Sequence, residues 1–275
     1  MFSSVDLVVA AALLGVGVGL VLAMTGAGGG MIAVPLLVFG LDLPVQLAGP
    51  VGLLAVLLAA GVGALLGWRQ GILRYRAAAL VGVCGMLMAP VGVALAQRLP
   101  NRPLLLAFAL LLAWTAWQTL RRTLGSPTVE AAPTVAKPCQ IRPESGRFAW
   151  NLRCAALLSG SGLVSGVLSG LLGVGGGFVV VPVLSRYSNL SSESVIATSL
   201  GVMTLIAIGG IAAAALSGGI VWRIGLPFAG GAVAGLLAGR LVAARVGGRR
   251  LQQGFGVLSL IVAISLFRRG LGIGG

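Results

Sequence analysis

The sequence predicts an all-α polytopic membrane protein made of two duplicated halves, and three observations carry that prediction. The chain is 58% hydrophobic and 9% charged, with a mean hydropathy of +1.07, outside the soluble globular range. Uncharged runs such as 45–67, 77–97, 104–120, 154–172, 195–221 and 251–267 can each cross a hydrocarbon core of about 30 Å. A glycine cluster occurs twice, as Gly26-Ala27-Gly28-Gly29-Gly30 and Gly173-Val174-Gly175-Gly176-Gly177, with Pro35 and Pro182 five positions after the last glycine. The copies lie 147 positions apart, Gly26 to Gly173.

In chain order, residues 5–39 are too long for one span and are broken by the first cluster. The opening residues carry no basic group before the apolar run, so they read as a retained first helix rather than a signal peptide. Spans follow at 45–67, at 77–97 (kinked at Pro90) and at 104–120. A polar, Pro- and Thr-rich stretch, 123–153, is the expected linker. The pattern then repeats as 154–184 around the second cluster, 195–216, 224–239 and 251–267. This divides the chain into an N-terminal repeat 1–122, a cytoplasmic linker 123–153 and a C-terminal repeat 154–275. At an offset of 147, Gly92 matches Gly239, Arg98 matches Arg245, Phe108 matches Phe255, and Arg121-Arg122 match Arg268-Arg269. Between these, Gly52 pairs with Gly201 and Gly71 with Gly219, an offset that drifts by one or two.

The net charge of +14 lies at the ends of the apolar runs. It therefore reads as helix orientation and lipid-headgroup contact rather than as a nucleic-acid surface. If each glycine-broken segment folds back to the side it came from, the halves are inverted. One side then holds 14 of the 19 basic residues, and both termini face away from the cytoplasm. Parallel halves would divide the basic residues 12 to 7, a weaker segregation, so inversion is the expected arrangement. The chain has no His and no Cys pair at metal-ligand spacing, so no metal or cofactor is expected. Cys84, Cys139 and Cys154 read as reduced, structural thiols.

Glycines at a helix break tolerate unusual backbone angles and let bare N–H groups approach an anion. The half-helix that follows presents its positive end to the same spot. Paired breaks in two repeats are the pattern of a transporter with its site between the halves. The alternative is that these glycines only let helices pack closely, as Gly162, Gly166 and Gly170 and Gly231, Gly235 and Gly239 would.

The paired GxGGG(x)4P motifs, Gly26–Pro35 and Gly173–Pro182, opening two homologous halves joined by a basic linker, resemble the TauE/SafE family of bacterial sulfite and organosulfonate exporter-like membrane proteins. The stretch Val195–Gly201 is similar to that family's segment after the second motif. The resemblance covers nearly the whole chain. It implies an inner-membrane exporter of small anions, sulfite or organosulfonates, working by alternating access. A departure is Gly49-Pro50-Val51-Gly52 in the first half where the second has Thr198-Ser199-Leu200-Gly201, which implies an asymmetric site.

The expected substrate-binding residues are Thr25, Gly26, Gly28, Gly29, Gly30, Gly173, Gly175, Gly176, Gly177, Thr198, Ser199 and Thr204. Pro35 and Pro182 are expected to mark the helix breaks. Gln46 and Glu193, at matching helix starts, are candidates for coupling. The expected partners are a small anion and membrane lipid. The five acids, Asp6, Asp42, Glu130, Glu144 and Glu193, form no pair in mid-membrane, so no enzyme chemistry is expected. The alternatives are a small-anion channel and an intramembrane enzyme. A potential of about 100 mV contributes roughly 2.3 kcal/mol per charge moved, so anion export needs no carboxylate relay.

Overall fold

The computed structural model describes residues 4–26, 28–124, 139, 151–216, 218–243 and 248–270. The first half folds as α1 (Ser4–Thr25), α2 (Gly28–Gly40), α3 (Val45–Arg69), α4 (Tyr75–Arg98) and α5 (Asn101–Leu124). The second folds as α6 (Leu152–Leu172), α7 (Gly177–Tyr187), α8 (Ser192–Leu216), α9 (Trp222–Ala243) and α10 (Gly248–Gly270). Among the described residues, seven helices are long and apolar enough to cross a membrane: α1, α3, α4, α5, α6, α8 and α9. The chain is an all-α polytopic membrane protein. Apart from Cys139, the expected linker lies almost wholly outside the described residues, between the end of α5 and the start of α6.

The glycine-broken segments are hairpins. In the first, a side chain on Gly29 would meet Leu22 and the Val18 carbonyl, and one on Gly40 would meet Leu14. Thus α2 returns along α1. At 13 residues it is about 20 Å long, short of a full crossing. In the second, Gly176 abuts Ser165, so α7, with 11 residues, turns back on α6. Pro35 and Pro182 do not mark the breaks, contrary to expectation: they lie inside α2 and α7. Each removes one N–H from a helix that continues past it. The breaks themselves are made by glycines in the left-handed region, Gly26 (φ 69°) in the first copy and Gly173, Gly175 and Gly176 (φ 74°, 77° and 75°) in the second.

Helix directions follow from which residues meet. Along α1 and α9, Gly231 meets Ala12, Gly235 meets Val16 and Gly239 meets Leu20, so these helices run parallel. Along α4 and α6, Gly162 meets Val81, Gly166 meets Gly85 and Gly170 meets Ala89, again parallel. Gly82 meets Leu205 and Gly209 meets Met86, so α4 is parallel to α8. In contrast, Gly63 meets Leu200, Gly67 meets Ala197 and Gly210 meets Leu53, so α3 and α8 are antiparallel. The small-residue stripes thus lie at interfaces between the halves, where the absence of side chains lets backbones touch.

These contacts recur at the 147-residue offset. Gly15 on Phe228 is matched by Gly162 on Val81, Gly19 on Ala232 by Gly166 on Gly85, and Gly63 on Leu200 by Gly210 on Leu53. The offset therefore holds through α3 and α8, where the sequence pairing drifted. Gly71 corresponds to Gly218, not Gly219, and both have positive φ, 71° and 69°.

Polar contacts tie the bundle's two ends. At one end Arg269 pairs with Asp42 at 2.7 Å, Asn101 Oδ1 accepts from the Val45 N–H and Gln46 Nε2 donates to the Leu99 carbonyl. At the other, the Arg74 N–H donates to Thr198 Oγ1 and the Cys139 N–H to the Tyr187 carbonyl. Cys139 and Cys154 are joined in a disulfide, which corrects the reading of both as reduced thiols. Only Cys84 is a free cysteine among the described residues. The linker is thereby pinned to the start of α6 and the end of α7.

Candidate functional site

The two breaks converge in the middle of the bundle. A side chain on Gly30 would run into the Val174 carbonyl and lie 3.3 Å from Val56. One on Gly175 would touch both Val56 and Met203, at 2.7 and 3.1 Å. Val56 and Met203 are each the twelfth residue of a 25-residue helix, α3 and α8, and both are fully buried. They are counterparts at the 147-residue offset, so their shared contact marks the centre of the bundle. The breaks flank this point along the helix axes. Gly26 packs on Ile196 near the start of α8, and Gly173 packs on Gly49 near the start of α3.

The local chemistry follows from the breaks. The Gly173 N–H closes α6 by donating to the Ser169 carbonyl at 2.7 Å. Gly176 then caps α7 with a backbone angle that only glycine adopts cheaply. The first N–H groups of α2 and α7 have no partner within their own helices, and each helix directs its positive end into the packed centre. Gly26, Gly29 and Gly30 of the first cluster and all of Gly173–Gly177 are buried, while Ala27 and the burial of Gly28 lie outside what the structure describes.

The side chains expected to bind divide into three groups. Thr25 donates to the Val21 carbonyl and Thr204 to the Leu200 carbonyl, both at 2.8 Å. Their protons are therefore bound one turn back, the usual state of a helical Thr. Thr198 is fully buried and accepts from the Arg74 N–H at 3.2 Å, which ties α8 to the α3–α4 turn. Ser199 is also fully buried, and its hydroxyl has no hydrogen-bond partner. The candidates for coupling stay at helix ends. Gln46 spends an amide proton on Leu99, and Glu193 is exposed in the first turn of α8.

The sequence reading missed two serines on α6. Ser165, fully buried, donates to the Gly176 carbonyl at 2.8 Å. Ser169, one turn nearer the break, is equally buried and has no hydrogen-bond partner. The signal was present: Ser161, Ser165 and Ser169 recur every fourth residue beside the Gly162, Gly166 and Gly170 stripe.

Comparison with known proteins covers most of the chain. No solved structure matches it. A protein named "Probable membrane transporter protein" from Xylella fastidiosa (strain 9a5c) is 29% identical over 263 residues, covering 92% of each chain. A protein of the same name from strain Temecula1 / ATCC 700964 is 28% identical over 259 residues, also covering 92% of each. Together with the apolar helices, these relatives support a multi-pass membrane transporter. The family model "Sulfite exporter TauE/SafE" matches residues 11–266, and the chain belongs to that family.

Proposed function

We propose that this protein exports small anions, sulfite or organosulfonates, across a bacterial inner membrane by alternating access, holding the anion at the two glycine breaks. One observation carries the reading: the N-terminal ends of α2 and α7 converge on Val56 and Met203, with Gly30 against Val174. Two helix N-termini directed into one buried centre supply positive potential and backbone N–H donors where an anion loses its water. The opposed directions of α3 and α8 fit inverted halves, each able to open the centre to one face. In the closed packing described above, the glycines of both clusters fill the space themselves. Loading an anion therefore requires the hairpins to part, which suits a carrier better than a standing pore.

The test is counterflow in proteoliposomes with labelled sulfite. Unlabelled sulfite on the trans side should accelerate exchange several-fold. Flux without trans-stimulation would point to a channel. Absence of flux or binding for sulfite, thiosulfate, sulfoacetate and chloride would end the anion reading.

A further inference from the structure

The hydroxyls of Ser169 and Ser199 are each fully buried and have no hydrogen-bond partner. Leaving a buried hydroxyl unpaired forfeits the hydrogen bonds it had in water and is costly. Such a group kept beside a helix break points to a ligand that satisfies it. Ser199 shares a helical face with Ile196 and Met203, three and four positions away. Ile196 touches Gly26 of the first break and Met203 touches Gly175 of the second, so Ser199 lies on the α8 stripe that runs from one break to the other. Ser169 follows Ser165 by one turn on the same face of α6. Ser165 donates to Gly176, and the Ser169 carbonyl receives the Gly173 N–H. That face therefore looks onto the second break.

The two hydroxyls do not share one spot. Gly170, next to Ser169, meets Ala89 of α4, and Ala89 lies level with Gly210 of α8. Ser199 is eleven positions from Gly210, a separation of about 17 Å along the helix axis. Each hydroxyl therefore accompanies a different break: Ser199 the first, where α2 begins, and Ser169 the second, where α7 begins. Their counterparts at the 147-residue offset are Gly52 and Leu22, which have no hydroxyl. The fold is two-fold in its contacts, but these two hydroxyls both come from the second half.

We propose that the pathway holds its oxyanion at two successive stations. Ser199 Oγ donates at the first break and Ser169 Oγ at the second, each alongside the N–H groups of the adjoining short helix. This rests on the small-anion reading above and assigns it donors, order and sidedness. The Ser199 station lies towards the end bearing the α3–α4 turn, and the Ser169 station towards the end bearing Asp42.

The experiment uses the full-length protein, oriented in proteoliposomes, with sulfite as the probe. A hydrogen bond to a charged group contributes about 1.5–3 kcal/mol, so its loss should weaken binding about 10- to 100-fold. Ser199→Ala should raise the half-saturating sulfite concentration by that factor for entry from the α3–α4 end. Ser169→Ala should do so for entry from the Asp42 end. Neither should lower the melting temperature, since no hydrogen bond within the protein is lost. Ser185→Ala, which removes a bond from the exposed Ser185 to the Val181 carbonyl, is the unaffected control. Equal shifts from both sides in both variants would overturn the two stations. Wild-type affinity in both variants would overturn the serine assignment and leave the anion reading standing. Failure of the wild type to bind any anion of the panel would instead remove the anion reading on which the assignment rests.

Discussion

Gly30 of the first cluster lies so close to the Val174 carbonyl of the second that no side chain fits between them. Two segments 144 positions apart in sequence thus meet backbone to backbone at the centre of the bundle. The glycines allow this close packing, and in the proposed function they also shape the site. Their substitution is therefore a sensitive probe of this packing.

Gly30→Ala and Gly173→Ala should both destabilise the protein. Gly30 would press on Val174, while Gly173 has φ 74° and would press on Gly49. Overpacking costs about 1–3 kcal/mol, and the left-handed backbone adds about 1–2 kcal/mol at Gly173. Thermal unfolding in detergent should show both below wild type, with Gly173→Ala the lower. Gly160→Ala, where nothing lies within 4 Å, should leave stability unchanged or slightly raised. Equal melting for all three would remove the close approach. Bulky replacements of Gly29 or Gly176 would report the same packing, because Leu22 and Ser165 stand against them.

Arg269 reaches Asp42 from the end of α10 and also donates to the Val38 carbonyl at 3.2 Å. It lies 5.6 Å from the Phe39 ring centroid as well. The carboxylate side is 81% exposed, and exposed ion pairs contribute about 0–1 kcal/mol. Asp42→Asn should therefore melt close to wild type. Arg269→Ala should melt lower, because it also loses the carbonyl and ring contacts that hold α10 to the end of α2. If the order is reversed, the ion pair is the dominant contact.

The breaks, the repeat and seven of the eight expected spans were legible because each has a period or a composition that survives in one dimension; the eighth, 251–267, falls in α10, which is not among the described helices apolar enough to cross. The 147-residue offset is visible in Gly26 and Gly173 and returns as matched contacts, Gly15 on Phe228 and Gly162 on Val81. The donors were less legible. Thr25 and Thr204 look like Ser199 in sequence, yet their protons go to carbonyls one turn back, and only packing decides that. Ser169 was hidden because a serine beside a glycine stripe reads as helix packing until the neighbouring Ser165 is seen to reach Gly176. Pro35 and Pro182 misled for a physical reason: a proline costs one hydrogen bond within a short helix, but positive-φ glycines are what reverse the chain.

The bond between Cys139 and Cys154 predicts a simple labelling pattern. In denaturant without reductant, a polyethylene-glycol maleimide should add to one cysteine, Cys84. After reduction it should add to three. Both bonded cysteines are buried, with Cys139 at 1% and Cys154 at 0% exposure. Burial shields their sulfurs from attacking thiolates, so the bond should also withstand mild reductant in the folded protein. Three additions before reduction would show free thiols.

The same bond bears on which way the protein faces. Among the described residues, ten of the fifteen basic residues lie at the end that holds the α3–α4 turn, on the ends of α3, α5, α7 and α9, the α3–α4 turn and the starts of α4, α6 and α10, and the positive-inside rule assigns that end to the cytoplasm. A disulfide is more at home in an oxidising compartment, so the two signals point in opposite directions. We give the charge more weight, because it is spread over several loops and acts during insertion, whereas a shielded disulfide can persist in a reducing compartment. In a Cys84→Ala background, Asp42→Cys should react with a membrane-impermeant maleimide in intact cells. Gln70→Cys, at the exposed α3–α4 turn, should react only after permeabilisation. The opposite pattern would place the linker and its disulfide outside, assign the Ser199 station to the outer face, and reverse the order in which an exported anion meets the two breaks.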